Sequence, residues 1–271
     1  MVTGATGRLG GRVARRLGGN MRLLVRDPSR APEIAGASVA VAEYADGDAV
    51  RRALTGAGTV LMVSGAETPD RVAQHRSFVD AAVAAGVRHL VYTSFVGAAP
   101  DSTFTLARDH WATEEYLRAS GLAVTFLRDN LYADFLPMMV GEDGVIRGPA
   151  GDGRAALVAQ DDIADAAVAV LRDPAAHAGR TYDLTGPEDL TLAEAAATIT
   201  AVTGREVRYH AETVAEAYAS RARYRAPAWQ VDAWVSTYTA IAAGELAGVS
   251  DAVPTLTGHP ATSAVDLLTR G

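Results

Sequence analysis

The stretch richest in chemistry is Thr3-Gly4-Ala5-Thr6-Gly7-Arg8-Leu9-Gly10, a Gly-x-x-Gly-x-x-Gly run that opens a helix. In such a loop Gly4 permits a tight turn, Gly7 lets the backbone approach a pyrophosphate, and Gly10 lets the helix close on its strand. The unpaired N–H groups and positive dipole end of the helix then face the phosphates. The residue at the tip of the next strand selects the nucleotide, because a carboxylate there binds the adenosine ribose and repels a 2′-phosphate. Here Leu24-Val25-Arg26-Asp27-Pro28 places Arg26 at that tip, with Arg30 four residues on. A guanidinium matches a phosphate fork, which favours NADP(H) over NAD(H). The competing readings are a glycine turn with no ligand, and an Arg26 that is only a solvated charge beside Asp27.

All 25 basic residues are arginine, and the chain contains no lysine. A Schiff-base lysine, a Walker lysine and a Tyr-x-x-x-Lys proton relay are therefore excluded. Cysteine is absent as well, which removes disulfides, thiolate chemistry and cysteine-ligated metals. No two of the six histidines have the i, i+4 spacing of a helical zinc site, so no metal is expected, and no flavin either. A net charge of −7 argues against a nucleic-acid partner. No apolar run approaches the ~20 residues that a membrane-spanning helix needs, so no membrane association is expected. The chain opens directly on the glycine motif, leaving no room for a signal peptide, so a cytoplasmic location is expected.

The elements that must position these residues follow from hydrophobic periodicity. A length of 271 residues suits one large α/β domain, or a nucleotide domain with a small second lobe. Short apolar runs predict strands at Met21–Arg26, Ser38–Ala42, Thr59–Val63, His89–Thr93 and Val124–Leu127. Helical patterns at Arg8–Leu17, Ala49–Thr55, Arg71–Ala85 and Arg108–Ala119 alternate with them, the signature of a parallel sheet. In Arg71–Ala85 the residues Val72, His75, Phe78, Val79, Ala82 and Val83 form one stripe, and Gly86 supplies a stop. Only Met1 and Val2 precede Thr3, so the first strand is expected to be a stub at a ragged edge, or the chain to start upstream of Met1. After Arg128 the alternation weakens. Gly141–Gly153 reads as a loop, Thr181–Leu184 as a strand, and Asp161–Leu171, Leu192–Val202, Glu212–Arg223 and Ala228–Leu246 as helices. This last third is expected to pack over the sheet's carboxyl edge as a smaller, aromatic-rich substrate lobe.

Taken together, these stretches resemble the NmrA-like branch of the atypical short-chain dehydrogenase/reductases, with closest likeness to type 2 NAD(P)H:quinone oxidoreductases. The glycine loop and Leu24–Pro28 carry the resemblance, with Gln74-His75, Ala81–Val87, Tyr92-Thr93-Ser94, Arg108-Asp109-His110, Glu114-Glu115 and Leu127-Arg128-Asp129-Asn130. Tyr182–Pro187 and Leu256-Thr257-Gly258-His259-Pro260 extend it over nearly the whole chain. The resemblance implies a Rossmann doubly wound parallel sheet with a small C-terminal substrate lobe. Residues 1–130 would bind NADP(H), and 131–271 would mainly form the lobe, with about 155–185 returning to the sheet. It implies that Gly4, Thr6, Gly7, Arg8, Leu9 and Gly10 hold the pyrophosphate and Arg26 the 2′-phosphate. Glu43 and Tyr44 would flank the adenine, and Ser64 and Gly65 the ribose and diphosphate. Thr93, Ser94 and Phe95 would approach the nicotinamide, and Asn130 would close the floor.

The wider superfamily takes its acid from a tyrosine four residues before a lysine. Here those positions fall on Leu106 and His110. His110 is therefore the candidate catalytic residue, as a proton donor, as a contact to the cofactor, or as a packed helix histidine with no chemical part. Reduction of a quinone weakens the demand for an acid, because a hydroquinone anion is far less basic than an alkoxide. Phe95, Tyr132, Phe135, Trp229 and Trp234 are candidate walls for a flat aromatic or quinone-like substrate, against ordinary core packing. The implied activity is an NADPH-dependent reductase of quinones or related conjugated carbonyls, acting as monomer or homodimer. The alternatives are an NADP(H)-binding redox sensor of the NmrA type without turnover, and a tailoring reductase or dehydratase of secondary metabolism.

Overall fold

The computed structural model describes residues 1–270. In chain order it contains β1 (Val2–Thr3), α1 (Arg8–Leu17), β2 (Arg22–Val25), β3 (Ser38–Val41), α2 (Gly47–Leu54), β4 (Thr59–Met62), α3 (Arg71–Ala84) and β5 (His89–Phe95). There follow α4 (Thr105–Ala119), β6 (Ala123–Asp129), β7 (Val145–Gly148), β8 (Arg154–Ala155), α5 (Gln160–Arg172), β9 (Thr181–Leu184) and β10 (Leu190–Thr191). The chain closes with α6 (Leu192–Thr203), β11 (Arg208–Ala211), α7 (Val214–Arg221), α8 (Ala228–Ala242), α9 (Ala252–Thr257) and α10 (Ala264–Arg270). Among the described residues no helix is long and apolar enough to cross a membrane.

Seven strands make one sheet in the order β3-β2-β1-β4-β5-β6-β9. β1 pairs in parallel with both β2 and β4, β2 with β3, and β4 with β5. The chain winds outward from β1 to β3, then returns and winds the other way from β4. The order therefore reverses between β1 and β4, which is the doubly wound arrangement expected from the sequence, with its crevice at that switch point.

The expectation of a ragged edge at the amino terminus is corrected here. β1 is a two-residue strand, yet it lies in the interior of the sheet with a neighbour on each side. Met1 extends it through its backbone: its amino group donates to the Thr59 carbonyl at 2.8 Å, and its carbonyl accepts from the Leu61 N–H at 2.9 Å. Strand length measured along the sequence says nothing about position in the sheet, which is set by where the partners lie.

The chain divides into two compact units. The first comprises Met1–Phe95, Asp109–Arg128 and Gln160–Tyr182. Its central strands are buried on both faces, as continuous runs such as Val60-Leu61-Met62 and Leu90-Val91-Tyr92 require. On one side α2 and α3 contribute Val50, Leu54, Phe78, Val79 and Ala82 to a core shared with Val60, Met62, Leu90 and Tyr92. The stripe read on α3 is narrower than expected: His75, Phe78, Val79 and Ala82 are buried, but Val83 is exposed. A charged residue, Arg71, is buried at the start of the same helix. On the other side of the sheet Arg12 and Arg16 of α1 pair with Asp161 and Asp165 of α5.

The second unit comprises Val96–Arg108, Asp129–Ala159 and the described residues from Asp183 onward. Gly141–Gly153, expected as a loop, contains β7, which pairs in parallel with β11 through Val145↔Arg208 to Gly148↔Ala211. β8 pairs antiparallel with β10. These partners are far apart in sequence, so no local turn signal announces the pairing. α6 and α7 begin at capping boxes, Thr191 with Glu194 and Thr213 with Glu216, in which side chain and backbone satisfy each other reciprocally. α8 stops at Ala242, short of the expected Leu246.

Close approach of α1 to β1 depends on Gly10. A Cβ built there would lie 2.4 Å from the Gly4 carbonyl oxygen and 2.7 Å from that of Thr3, both backbone atoms that cannot swing aside. Gly10→Ala is expected to destabilise the protein by roughly 1–3 kcal/mol, the usual range for overpacking. The check is the urea unfolding midpoint. Stability equal to that of the parent chain would show that the helix does not need this contact.

Candidate dinucleotide site

The turn between β1 and α1 forms as its sequence demands. Gly4 takes φ +62°, and the Gly7 N–H donates to the Gly4 carbonyl at 2.9 Å. Gly7 is the N-cap of α1 and has no side chain with which to cap it. The amides of the first helical turn, which have no acceptor within the helix, lie at the positive end of the helix dipole. Gly7 and Arg8 are exposed, Gly4 and Thr6 half-buried, and Leu9 buried in the packing of α1.

Arg26 is exposed at the tip of β2. The neighbouring Asp27 does not neutralise it: its Oδ1 accepts from the Ser29 N–H at 3.0 Å and the Ser29 hydroxyl at 2.6 Å, capping a short turn at Pro28–Arg30. Those same bonds to Ser29 hold the Asp27 carboxyl below its ordinary range. Among the described residues Arg26 has no ion-pair partner. Glu43 is exposed after β3. Tyr44, half-buried, turns its hydroxyl inward, bonding Thr3 Oγ1 and donating to the Val63 carbonyl at 2.7 Å, while its ring packs on Phe78. Burial raises the pKa of this phenol.

The residues after β4 and β5 are held by polar side chains. Ser64 N–H donates to Thr93 Oγ1 at 2.8 Å, and Gly65 N–H to His75 Nε2 at 2.9 Å. Ser94 is buried and donates its hydroxyl to Glu114 Oε1 at 2.6 Å. Glu114, itself fully buried, also accepts from Arg128 Nε and Nη2 at 2.8 and 2.7 Å and from Arg118. A buried carboxylate is tolerable only with such pairing. Phe95 is half-buried, its ring 6.0 Å from that of His110.

His110 is buried on α4, with both ring nitrogens engaged. Arg71 Nη2 lies 3.2 Å from Nε2, and the Tyr92 hydroxyl 3.0 Å from Nδ1. A guanidinium only donates, so Nε2 accepts and Nδ1–H donates to Tyr92. Burial pushes the pKa of His110 well below its ordinary value, and the Arg71 charge pushes it the same way. The imidazole is therefore neutral near pH 7, and an imidazolium proton donor is not available in this arrangement. That leaves the cofactor-contact and packing readings of His110.

In the second unit Asn130 is buried and its side chain is committed to backbone, Nδ2 donating to the Leu246 carbonyl at 2.9 Å and Oδ1 accepting from Leu131 N–H at 2.8 Å. Tyr132 and Phe135 meet at 5.5 Å between ring centroids with their planes tilted by 58°, and Trp234 meets Tyr224 edge-on at 5.7 Å; these rings and Trp229 are half-buried except Tyr224, which is exposed. Sequence reasoning passed over Asp129, the last residue of β6. Its Oδ2 accepts from the Tyr132 hydroxyl at 3.0 Å, while Oδ1 is buried with no partner among the described residues. Burial raises its pKa well above its ordinary value, against the opposing effect of the Tyr132 hydrogen bond. The only sequence signal was its place at a strand's carboxyl end, where α/β proteins set functional groups.

A doubly wound sheet with a bare glycine turn and an unpaired arginine at the tip of β2 defines a dinucleotide-binding α/β protein, and the residues present fit a diphosphate with an added phosphate. The chain belongs to the NmrA-like family, whose model matches residues 1–225. It is 35% identical to quinone oxidoreductase 2 of Escherichia coli (strain K12), over 97% of this chain and 94% of that one. It is 34% identical to an NAD(P)H azoreductase of Xenophilus azovorans, over 96% and 93%. Among solved structures, an Escherichia coli NADPH-dependent quinone oxidoreductase complexed with NADPH matches with a TM-score of 0.91, 34% identity, and coverage of 99% and 98%.

The buried histidines make stability pH-dependent with a definite sign. Burial, with the Arg71 charge second, lowers His75 from 6.5 to about 3. Between those values the unfolded chain binds a proton that the folded chain does not, so stability is full above pH ~6.5 and falls as pH drops, by about 1.4 kcal/mol per pH unit for each such histidine. His75→Gln, which cannot titrate, is expected to lower that slope between pH 6 and 4 by close to one proton. Urea unfolding across this pH range measures it, and an unchanged slope would contradict the assignment.

Proposed function

We propose that the chain is an NAD(P)H-dependent oxidoreductase that prefers NADP(H) and reduces quinones or related conjugated carbonyl compounds by hydride transfer, without a Tyr-x-x-x-Lys relay. The observation that carries the cofactor preference is the exposed Arg26 guanidinium at the tip of β2, left unpaired by an Asp27 engaged elsewhere. Similarity along nearly the whole length of quinone and azo reductases supports the reaction class. In this reading residues 1–130 serve the cofactor and 131–271 mainly the substrate, with about 155–185 returning to the sheet.

When bound, the reduced nicotinamide supplies a hydride. The chain's own part is to bind, orient and supply or withhold protons. Gly4, Thr6, Gly7, Arg8, Leu9 and Gly10 present amides and charge to the diphosphate, and Arg26 takes the 2′-phosphate. Glu43 and Tyr44 flank the adenine, Ser64 and Gly65 the ribose and diphosphate, Thr93, Ser94 and Phe95 the nicotinamide, and Asn130 supports the floor. Phe95, Tyr132, Phe135, Trp229 and Trp234 offer aromatic surface to a flat acceptor. Holding the acceptor in a reactive pose is worth up to ~7–11 kcal/mol in favourable cases. His110, neutral and tied to Arg71 and Tyr92, orients its surroundings and does not release a proton. The proton that completes reduction comes from water.

Two measurements test this reading. Purified protein with NADPH and a panel of quinones should show loss of reduced-nicotinamide absorbance, and the rate should show no inflection near pH 6.5 from His110. Tight NADPH binding with no turnover on any acceptor would point instead to a redox sensor. Arg26→Ala or Arg26→Glu should weaken NADPH binding by roughly 2–3 kcal/mol, the loss of one charge-assisted phosphate contact, and leave NADH nearly unaffected. Titration calorimetry reads both, and unchanged NADPH affinity would reject Arg26 as the phosphate ligand.

A further inference from the structure

The turn that leaves β4 is held by side chains and not by strand partners. Val63 N–H donates to Thr3 Oγ1 at 2.9 Å, and the Val63 carbonyl accepts from the Tyr44 hydroxyl at 2.7 Å. Ser64 N–H donates to Thr93 Oγ1 at 2.8 Å. At Gly65 both backbone groups are taken: its N–H donates to His75 Nε2 at 2.9 Å, and its carbonyl accepts from Arg71 Nε at 3.0 Å. Arg71 and His75 stand four residues apart on α3 and so share one face of that helix. All these residues lie in the first compact unit.

Each of the two side chains is pinned from behind. Because Gly65 N–H donates to Nε2, the His75 proton sits on Nδ1 and goes to Thr113 Oγ1 at 2.9 Å; that hydroxyl donates in turn to the Asp109 carbonyl at 2.8 Å. Arg71 is fixed by His110 at 3.2 Å and by the Asp109 carboxylate at 3.9 Å. Both are buried. A buried guanidinium and a buried imidazole are an unfavourable way to fill a core, where apolar side chains of similar volume would serve stability as well or better. What they add is geometry. They fix the two peptide planes that meet at Gly65, His75 through its N–H and Arg71 through its carbonyl, at the carboxyl end of the strand beside the point where sheet order reverses.

We propose that Arg71 and His75 are positioning residues for the dinucleotide: acting from α3, they set the two peptide planes on either side of Gly65 in advance, so that the ribose–diphosphate portion meets a rigid backbone. This rests on the reading that Ser64 and Gly65 flank the cofactor. It differs from the role of Arg26 in a measurable way. The clamp acts on the portion shared by NADPH and NADH, so its loss weakens both.

The test uses the full-length protein and direct titration with NADPH and with NADH. His75→Ala is expected to raise Kd for both nucleotides roughly tenfold or more, the effect of losing one buried hydrogen bond that leaves its donor unsatisfied. KM for NADPH should rise in step, while kcat at saturating NADPH stays within about threefold. His75→Gln, whose side-chain oxygen can accept the Gly65 N–H, should recover most of the affinity. Unchanged Kd in folded His75→Ala overturns the proposal, and so does equal weakening by Ala and Gln in proportion to their loss of stability. Hydrogen exchange at the Gly65 amide of the parent protein decides independently of any variant. Protection already present without nucleotide supports a preset turn; protection that arises only on adding NADPH overturns it. If the parent protein binds neither nucleotide, the cofactor reading itself fails, whereas parent binding with unaltered His75→Ala affinity removes the clamp alone.

Discussion

Where the strand order reverses, between β1 and β4, the backbone groups at the carboxyl ends of these strands run out of neighbouring strand to pair with. An unpaired buried amide or carbonyl is expensive, so something must replace the missing ladder. The chain uses polar side chains from its neighbours: Thr3 from β1, Thr93 from β5, Tyr44 after β3, and His75 and Arg71 from α3. The result is a turn in which side-chain hydrogen bonds take the place of the missing strand. The glycine turn at Gly4–Gly10 supplies the complementary feature, the start of a helix with no side-chain cap, which Gly10 allows to sit against β1.

This arrangement suits a neutral histidine at position 110. A lysine beside Arg71 would put two cations in a buried space, with strong mutual repulsion. A neutral imidazole can instead accept from Arg71 and donate to Tyr92 at once. The same choice removes His110 as an acid near neutrality, since Arg71 occupies the nitrogen that would take the proton. Reduction of an electron-poor ring tolerates that loss better than reduction of an isolated ketone, because its product anion is a weak base. In the second unit burial raises the pKa of Asp129 well above its ordinary value, with no neighbouring charge among the causes.

Much of the fold was legible in the sequence, and for a local reason. The βα alternation of the first unit consists of apolar runs and helical stripes whose period is a property of the segment alone, and α1, α3 and β9 fall within a residue of their expected bounds. The second unit was less legible. β7 and β11 pair across some sixty residues, and neither has enough alternation or turn chemistry to signal a strand by itself. The stub at Val2–Thr3 was correctly short but misplaced, since an edge and an interior strand differ in their neighbours and not in their own residues.

Residue types and their intervals, by themselves, determined the glycine turn, the cation at the tip of β2, the family and the lack of any lysine relay. These are statements about what a segment carries, and no distant contact can change them. Only the tertiary structure decided protonation and commitment: that Asp27 turns to Ser29, that His110 and His75 are neutral, that Asn130 is tied to Leu246, and that burial raises the pKa of Asp129. Each of those depends on desolvation and on partners brought from elsewhere in the chain, and both come into being only when the chain is folded.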